Sequence, residues 1–330
     1  MAEIVKGSRA ILLCAFLVVA ISCTALAEET PTCDVELEPG DSVQAAIDAA
    51  PDGAVICLKE GRWDENIRIG KSITLRGSAE GAGSEIRGTL EATPVLWVSS
   101  VFESQTPAVT LENLVIGHAV GSCIDLDDGG LLCASGVLVK GSAVVSLTQC
   151  TIYENGDSAI TARDTAAVSV HECTVTDNRF WYAIHLRESA SLALFDSTVS
   201  DNLGGVWFAS SSTAILSDCT IADNGWNGLW VSGGEATATR VVVSGNGDDG
   251  IHLSGDAALS LVDSSVWGNG NYGIALHGSG CYEVDQPISS SVAGSGNTIP
   301  GSNPPNGKAD VCPEDLAFLE TEEGGTYGSP

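Results

Sequence analysis

Six asparagines recur in this chain at nearly constant spacing. Asn155, Asn178, Asn202, Asn224, Asn246 and Asn269 are separated by 23, 24, 22, 22 and 23 residues. Three residues before each stands an aliphatic (Ile152, Val175, Val199, Ile221, Val243, Val266), and five before each a small residue or valine (Cys150, Cys173, Ser197, Cys219, Val241, Ser264). Four to six residues after each comes an apolar-x-apolar triplet. One such unit is too short to enclose a core, so it must bury its apolar side against the copies before and after it. Short alternating strands between Gly, Asn and Asp turns at this period predict an all-β solenoid in which each unit is one coil of a parallel β-helix. Leucine-rich repeats share the period, but their Leu-x-x-Leu-x-Leu frame does not recur here.

In such a stack equivalent positions lie ~4.8 Å apart and form ladders. A recurrent Asn can hydrogen-bond its amide to the Asn of the next coil, which satisfies a buried turn where an aliphatic cannot. Cys150, Cys173 and Cys219 read as small apolar members of an inward ladder, buried and reduced, since no His is interleaved with them at ligand spacing. A bridge between Cys150 and Cys173 on adjacent coils is the alternative. The open ends of a solenoid need covers. At the first end the residues 41–51 predict a short helix, with Asp41 or Ser42 as N-cap, Val43, Ala46, Ile47 and Ala50 on one face, and Pro51 as the stop. Near the other end Leu316, Ala317 and Leu319 predict a second short helix ahead of an acidic tail.

Lys6 and Arg9, the apolar run 10–21 and the small-x-small triplet Ala25-Leu26-Ala27 form an export signal, with a mature chain expected from Glu28. The alternative makes Cys23 a lipidated N-terminus. No later run is long enough to cross a bilayer as a helix. The expected organisation is a signal over 1–27, a cap with a short helix over 28–52, a parallel β-helix over 53–281, and an irregular C-terminal cap with an acidic tail over 282–330. The expected location is secreted, periplasmic or at the cell surface, and the expected state a monomer. Export permits disulfides, and with Cys14 and Cys23 in the signal nine of the 11 cysteines remain. Cys33 and Cys57 flank the N-terminal segment, Cys123 and Cys133 bracket a loop, and Cys281 and Cys312 bracket the Pro/Gly-rich C-terminal stretch, so these three pairs are expected as bridges.

Charge narrows the partners. With 43 acidic against 14 basic residues the formal net charge is −29, which argues against nucleic acid. A polyanionic ligand such as pectate would need a bridging cation, and calcium is the candidate cofactor.

Residues 42–77, "SVQAAIDAAPDGAVICLKEGRWDENIRIGKSITLRG", resemble the opening of secreted right-handed parallel β-helix proteins of the pectate-lyase-like superfamily. Pectin methylesterases and the periplasmic accessory proteins of nitrous oxide reductase are among them, and residues 109–278 are similar to the generic repeat of that superfamily. The resemblance implies the fold and leaves the activity open, because one solenoid carries lyases, hydrolases, esterases and binding proteins. Gly61-Arg62-Trp63-Asp64-Glu65 resembles an early stretch of pectin methylesterases, but their Gln-Asp-Thr, Asp-Phe-Ile-Phe-Gly and Arg-Pro-Trp coils have no counterpart. "GDDGIHL", 247–253, is similar to the Asp-Asp coil of polygalacturonases, whose paired carboxylates act as acid and base. The flanking motifs are missing, so Asp248 and Asp249 read first as turn residues and second as catalytic candidates.

Two rows of residues carry the functional expectations. Glu154, Asp177, Asp201 and Asp223 each precede a ladder Asn and should stack at one corner, as a solvated acidic edge or, alternatively, a calcium site. Asp125, Asp127 and Asp128 form a weaker cluster. The middle residues of the triplets are Thr161, His185, Trp207, Trp230, His252 and Ala275, and since their neighbours are aliphatic they should face outward. Arg163 and Arg187 follow two residues after two of these, and Trp181, Tyr182 and Trp226 sit in the turns just before the strands. Aromatic faces stack on the C–H faces of sugars, while His and Arg hydrogen-bond hydroxyls. The expected function is binding of an extracellular polysaccharide along this stripe, through Trp207, Trp230, His185, His252, Arg187, Trp181 and Trp226. A divergent polysaccharide lyase or glycoside hydrolase, or a non-enzymatic surface or assembly protein, are the alternatives.

Overall fold

The computed structural model describes residues 32–102, 106–125, 131–277, 281–282, 289–299 and 306–313. The export signal and the second capping helix lie outside these residues. Among them the only α-helix is α1, Val43–Ala49, and the rest is strand and turn.

Each coil lays down three short strands in a fixed order. In the coil that begins at Ile160 they are Ile160–Ala162, Ala167–His171 and Thr174–Thr176, and the next coil starts with Tyr182–Leu186. Apart from the antiparallel pair Cys123–Asp125 and Leu131–Cys133, the strands pair in parallel with their counterparts in the neighbouring coils, so the three series become three sheets. Sheet I, with ten strands, contains Ile160–Ala162; sheet II, with eleven, contains Ala167–His171; sheet III, with nine, contains Thr174–Thr176.

The alternation of the sequence decides what faces inward. In sheet I the pairs Ile160/Ala162, Ile184/Leu186, Val206/Phe208, Leu229/Val231 and Ile251/Leu253 are all buried. Each such aliphatic contributes roughly 1.5–3 kcal/mol by leaving water. Cys150, Cys173 and Cys219 lie in the same interior as free thiols. Burial and the neighbouring Asp196 and Asp218 push the Cys219 thiol up from its ordinary value.

Corners require the chain to turn sharply, and left-handed residues do this. Between sheets II and III stand Gln149, Glu172, Asp196, Asp218, Arg240 and Asp263, with φ between 48° and 58°. After sheet III come Glu154, Asp177, Asp201 and Asp223, with φ between 48° and 59°. Asp is among the few side chains that tolerate this region. The acidic row of the sequence therefore has a backbone reason for its composition.

The asparagine ladder is buried and fully partnered. Asn178 Nδ2 donates to Asn202 Oδ1 at 2.9 Å, Asn202 Nδ2 to Asn224 Oδ1 at 3.1 Å, and Asn224 Nδ2 to Asn246 Oδ1 at 2.9 Å. Each oxygen also accepts the backbone N–H of the preceding Asn, as in Asn178 N to Asn202 Oδ1 at 3.0 Å. The ladder runs one rung further than the repeat shows, because Asn306 accepts from Asn269 Nδ2 at 3.1 Å. Strands Ser291–Ser295 and Ala309–Cys312 likewise continue sheets II and I beyond residue 281. Their insertions break the 23-residue period, so the sequence pattern ends before the stack does.

The N-terminal end is closed by α1. Ser42 is its N-cap and accepts from Ala45 N at 3.1 Å, while Glu65 Oε1 and Oε2 accept from Val43 N and Gln44 N at 3.1 and 3.0 Å. Val43 and Ile47 are buried, and the helix packs on strand Ile67–Ile69. Disulfides join Cys33–Cys57, Cys123–Cys133 and Cys281–Cys312.

Candidate functional site

The outer face of sheet I carries one residue per coil in strict register. From Arg68 it runs through Trp97, Leu138, Thr161, His185, Trp207, Trp230 and His252 to Ala275. Leu138, Trp97 and Arg68 extend the stripe three coils ahead of Thr161, the first rung that the Asn repeat marks. The signal that finds them is the triplet Leu96-Trp97-Val98, which alternates like the later ones although no ladder Asn precedes it.

The rings of the stripe stack on one another. His185 lies 4.3 Å from Trp207 with 5° between planes, and Trp207 lies 4.9 Å from Trp230 with 14° between planes. Trp230 meets His252 edge-on at 5.6 Å, and His252 contacts Tyr282 at 5.2 Å. The in-register rung spacing permits this, since flat rings on adjacent strands come into contact without distortion.

The middle residues point away from the core, but the expectation that they meet open water needs correction. His185 and His252 are only 6% and 8% exposed, and Trp207 and Trp230 are half-buried. Other aromatics roof them. Tyr182, itself buried, contacts Trp207, Trp226 and Trp230, and Trp181 contacts Trp207 and Trp226. Gly204, in register with Tyr182, makes room for that ring: a Cβ there would come within 2.7 Å of it. The accessible rim is Trp226, 36% exposed, together with half-buried Trp181 and Arg187.

Between this rim and the preceding coil lies a cavity of about 260 Å³, lined by Cys123, Cys133, Asp157, Arg163, Trp181, His185, Arg187 and Trp207. The hairpin Cys123–Asp125/Leu131–Cys133 forms one wall. His185 Nε2 and Trp207 Nε1 are buried with no hydrogen-bond partner. Burial, with Arg187 and Arg163 nearby, pushes the His185 imidazole down to about 3. Burial also lowers Arg163, reinforced by Arg187, and raises the Asp157 carboxyl.

A second site follows at the next coils. Asp249 is fully buried and accepts from His252 Nδ1 at 2.8 Å, from Tyr272 N at 3.1 Å, and from the Tyr282 hydroxyl. Its own N–H donates to Asn227 Oδ1 at 3.0 Å. Asp249 lies in the bend between two strands, as a turn residue should, but three groups hold its carboxylate in the interior and a fourth fixes its backbone N–H. Asp248, half-buried, accepts from Asn271 Nδ2. Burial and the bond to Asp249 push the Tyr282 hydroxyl well above its ordinary value.

A family model described as a right-handed β-helix region matches residues 103–263. The fold is a right-handed parallel β-helix. Solved structures that resemble this β-helix include the periplasmic alginate epimerase AlgG, at 13% identity over 88% of this chain and 82% of that one, with a TM-score of 0.50. An alginate lyase from Paenibacillus sp. str. FPU-7 matches at 13% identity over 84% and 99%, TM-score 0.55. ORF18 of Geobacillus virus E2 matches at 13% identity over 82% and 58%, TM-score 0.50. At such identity the likeness is one of fold. No curated protein sequence matches the chain at a significant level.

The acidic row of the β-helix does stack at one corner, with Glu154, Asp201 and Asp223 exposed and Asp177 half-buried. Glu154 faces His118 Nδ1 at 3.3 Å and Asp177 faces Arg179 at 3.2 Å. Among the described residues these carboxylates do not bring three ligand atoms within 4.8 Å of one another. The one cluster that does joins Asp157 to Cys123 and Cys133, whose sulfurs are committed to a disulfide. Asp127 and Asp128 lie outside the described residues, as does the side chain of Asp125.

Proposed function

We propose that this β-helix acts outside the cytoplasm and binds a polysaccharide on the outer face of sheet I. The observation that carries the reading is the ring stack His185–Trp207–Trp230, edged by Trp181 and Trp226. Sugars present apolar C–H faces that pack on indoles and hydroxyls that bond to Arg and His. The stacked inner rings fix the floor, and the accessible Trp226, Trp181 and Arg187 make the contacts. Three disulfides and the N-terminal export pattern favour an oxidising compartment. A glycan array with the purified protein tests the reading, and retention that survives Trp226→Ala and Trp181→Ala together would overturn it.

A specific observation favours a second reading, chemistry on the bound glycan. His252, oriented through Nδ1 by the buried Asp249 and set beside Trp230, has the arrangement of a general base held by a carboxylate. Reducing-sugar and unsaturated-product assays on each retained glycan test it. Product that disappears in Asp249→Asn while retention persists is the result expected of catalysis.

A further inference from the structure

The outer face of sheet II is unlike the rest of this acidic surface. Eight of its strands, from Ala108–Glu112 to Ser291–Ser295, pair in unbroken register. Alternation turns the first and third residues of each outward, as Val168 and Val170 of the same sheet turn inward. Of these outward residues only Glu235 carries charge, in a chain whose net charge is −29. The others are Ala, Ser or Thr, except for two large aliphatics, Val144, 43% exposed, and Ile215, 54% exposed. A neutral face on so acidic a chain is where two copies can meet without setting like charges together.

The face carries a knob and a hollow on neighbouring rungs. Ile215 stands out from one rung, and beside it the small residues Ala193, Ser191, Ser169 and Ala167 leave a trough of about 430 Å³ that runs to Val144. The five rungs that line it begin at Val144, Ala167, Ser191, Thr213 and Glu235, so the rung of Ser191 and Ala193 is the middle one. A two-fold axis through Ala193, perpendicular to the sheet, reverses that order. It lays Ile215 of one copy over Ala167 and Ser169 of the other, and symmetry repeats the contact in the opposite sense. The knob therefore enters the hollow twice.

We propose that the outer face of sheet II docks on a second copy of this chain about a two-fold axis at Ala193, with each Ile215 seated in the trough of the other copy. The inference does not rest on the glycan reading, and it replaces the monomer expected from the sequence. Eight rungs ~4.8 Å apart and a width of about four residues at ~3.3 Å each give roughly 500 Å² per copy. The total of about 1,000 Å² is at the lower bound for a specific interface, so the dimer is weak and forms at high concentration. Glu172, Asp196 and Asp218 border the face at the corner toward sheet III and stand at the rim of the contact. Salt screens their repulsion, so this dimer tightens as ionic strength rises.

Sedimentation equilibrium of the full chain from micromolar to millimolar concentration, at low and at high salt, tests the proposal. A monomer–dimer equilibrium with a dissociation constant between about 10 µM and about 1 mM is expected, tighter at high salt. Ile215→Arg puts a charge into the trough and should weaken the dimer about ten-fold or more, with circular dichroism and melting temperature unchanged because the side chain is exposed. Ala193→Cys, on the axis, should be joined to its own copy by a short bis-maleimide, whereas Ala293→Cys, near the end of the face, should not. This second pair of variants keeps the test decisive if Ile215→Arg does not fold. A chain that stays monomeric at millimolar concentration in high salt overturns the proposal. So does a dimer that Ile215→Arg leaves intact, or one that cross-links through Ala293→Cys as well as through Ala193→Cys.

Discussion

Asn202→Ala should be among the most damaging substitutions in the coil, and its cost can be worked from the ladder. The Asn202 amide donates to Asn224 Oδ1 at 3.1 Å, to Ser200 O at 2.8 Å and to Val175 O at 3.0 Å, and its oxygen accepts from Asn178 N at 3.0 Å and Asn178 Nδ2 at 2.9 Å. Truncation leaves the Asn178 N–H as a buried donor with no acceptor. Asn178 Nδ2 keeps Thr176 O at 2.9 Å, and Asn224 Oδ1 keeps the Asn202 N–H at 3.1 Å, so these are weakened and not orphaned. One fully orphaned donor costs about 1–3 kcal/mol and each exchanged bond about 1 kcal/mol, which places the loss at roughly 2–4 kcal/mol. Asp201→Ala is the matched control. That carboxylate is exposed, so its removal costs only the preference of Asp over Ala for φ 59°, roughly 1 kcal/mol. Urea unfolding followed by far-ultraviolet circular dichroism measures both. If Asn202→Ala costs no more than Asp201→Ala, buried amide pairing does not hold the corner, and the physical account of the repeat fails.

Other outcomes follow from the same structure. Trp207→Ala removes a ring packed between His185 and Trp230, so it should lose about 3 kcal/mol of stability as well as ligand; Trp226→Ala, at the rim, should weaken glycan retention with the melting temperature nearly unchanged, and the reverse pattern would refute this division of roles. His185 is neutral in the folded chain down to about pH 3 but titrates near its ordinary 6.5 when unfolded. The unfolded state therefore binds the extra proton, and the stability contributed by a neutral His185 is present above pH 6.5 and lost progressively as pH falls toward 3. His185→Gln should remove that part of the acid slope in urea titrations across this window. Millimolar calcium should leave the melting temperature where chelator leaves it, because the corner carboxylates do not converge on one ion; a rise of several degrees would restore the row as a metal site.

The coil architecture was legible in the sequence because a solenoid repeats its environment. Asn155 to Asn269 occupy equivalent buried corners, so one chemical requirement is written six times at nearly constant spacing. Strand alternation likewise assigned Trp207 and Trp230 to the outer face of sheet I, since Val206/Phe208 and Leu229/Val231 had to face the core. The stack past residue 281 was not legible, because Asn297 and Asn306 continue the ladders after insertions that break the period. Facing outward is a property of one strand and its neighbours, whereas being exposed depends on what other segments cover. Trp181 comes from the turn, Tyr182 from the first position of its strand, Tyr282 from beyond the repeat, and the Cys123–Cys133 hairpin from the stretch ahead of strand Val137–Lys140. None of these shares a period with the stripe they roof. The same reason hid Asp249: Asp-Asp-Gly reads locally as a turn, and only the approach of His252, Tyr272 and Tyr282 makes the second Asp a buried acceptor. Repetition along the chain determined the fold, and contacts between residues far apart in the chain decided which part of its surface is a site.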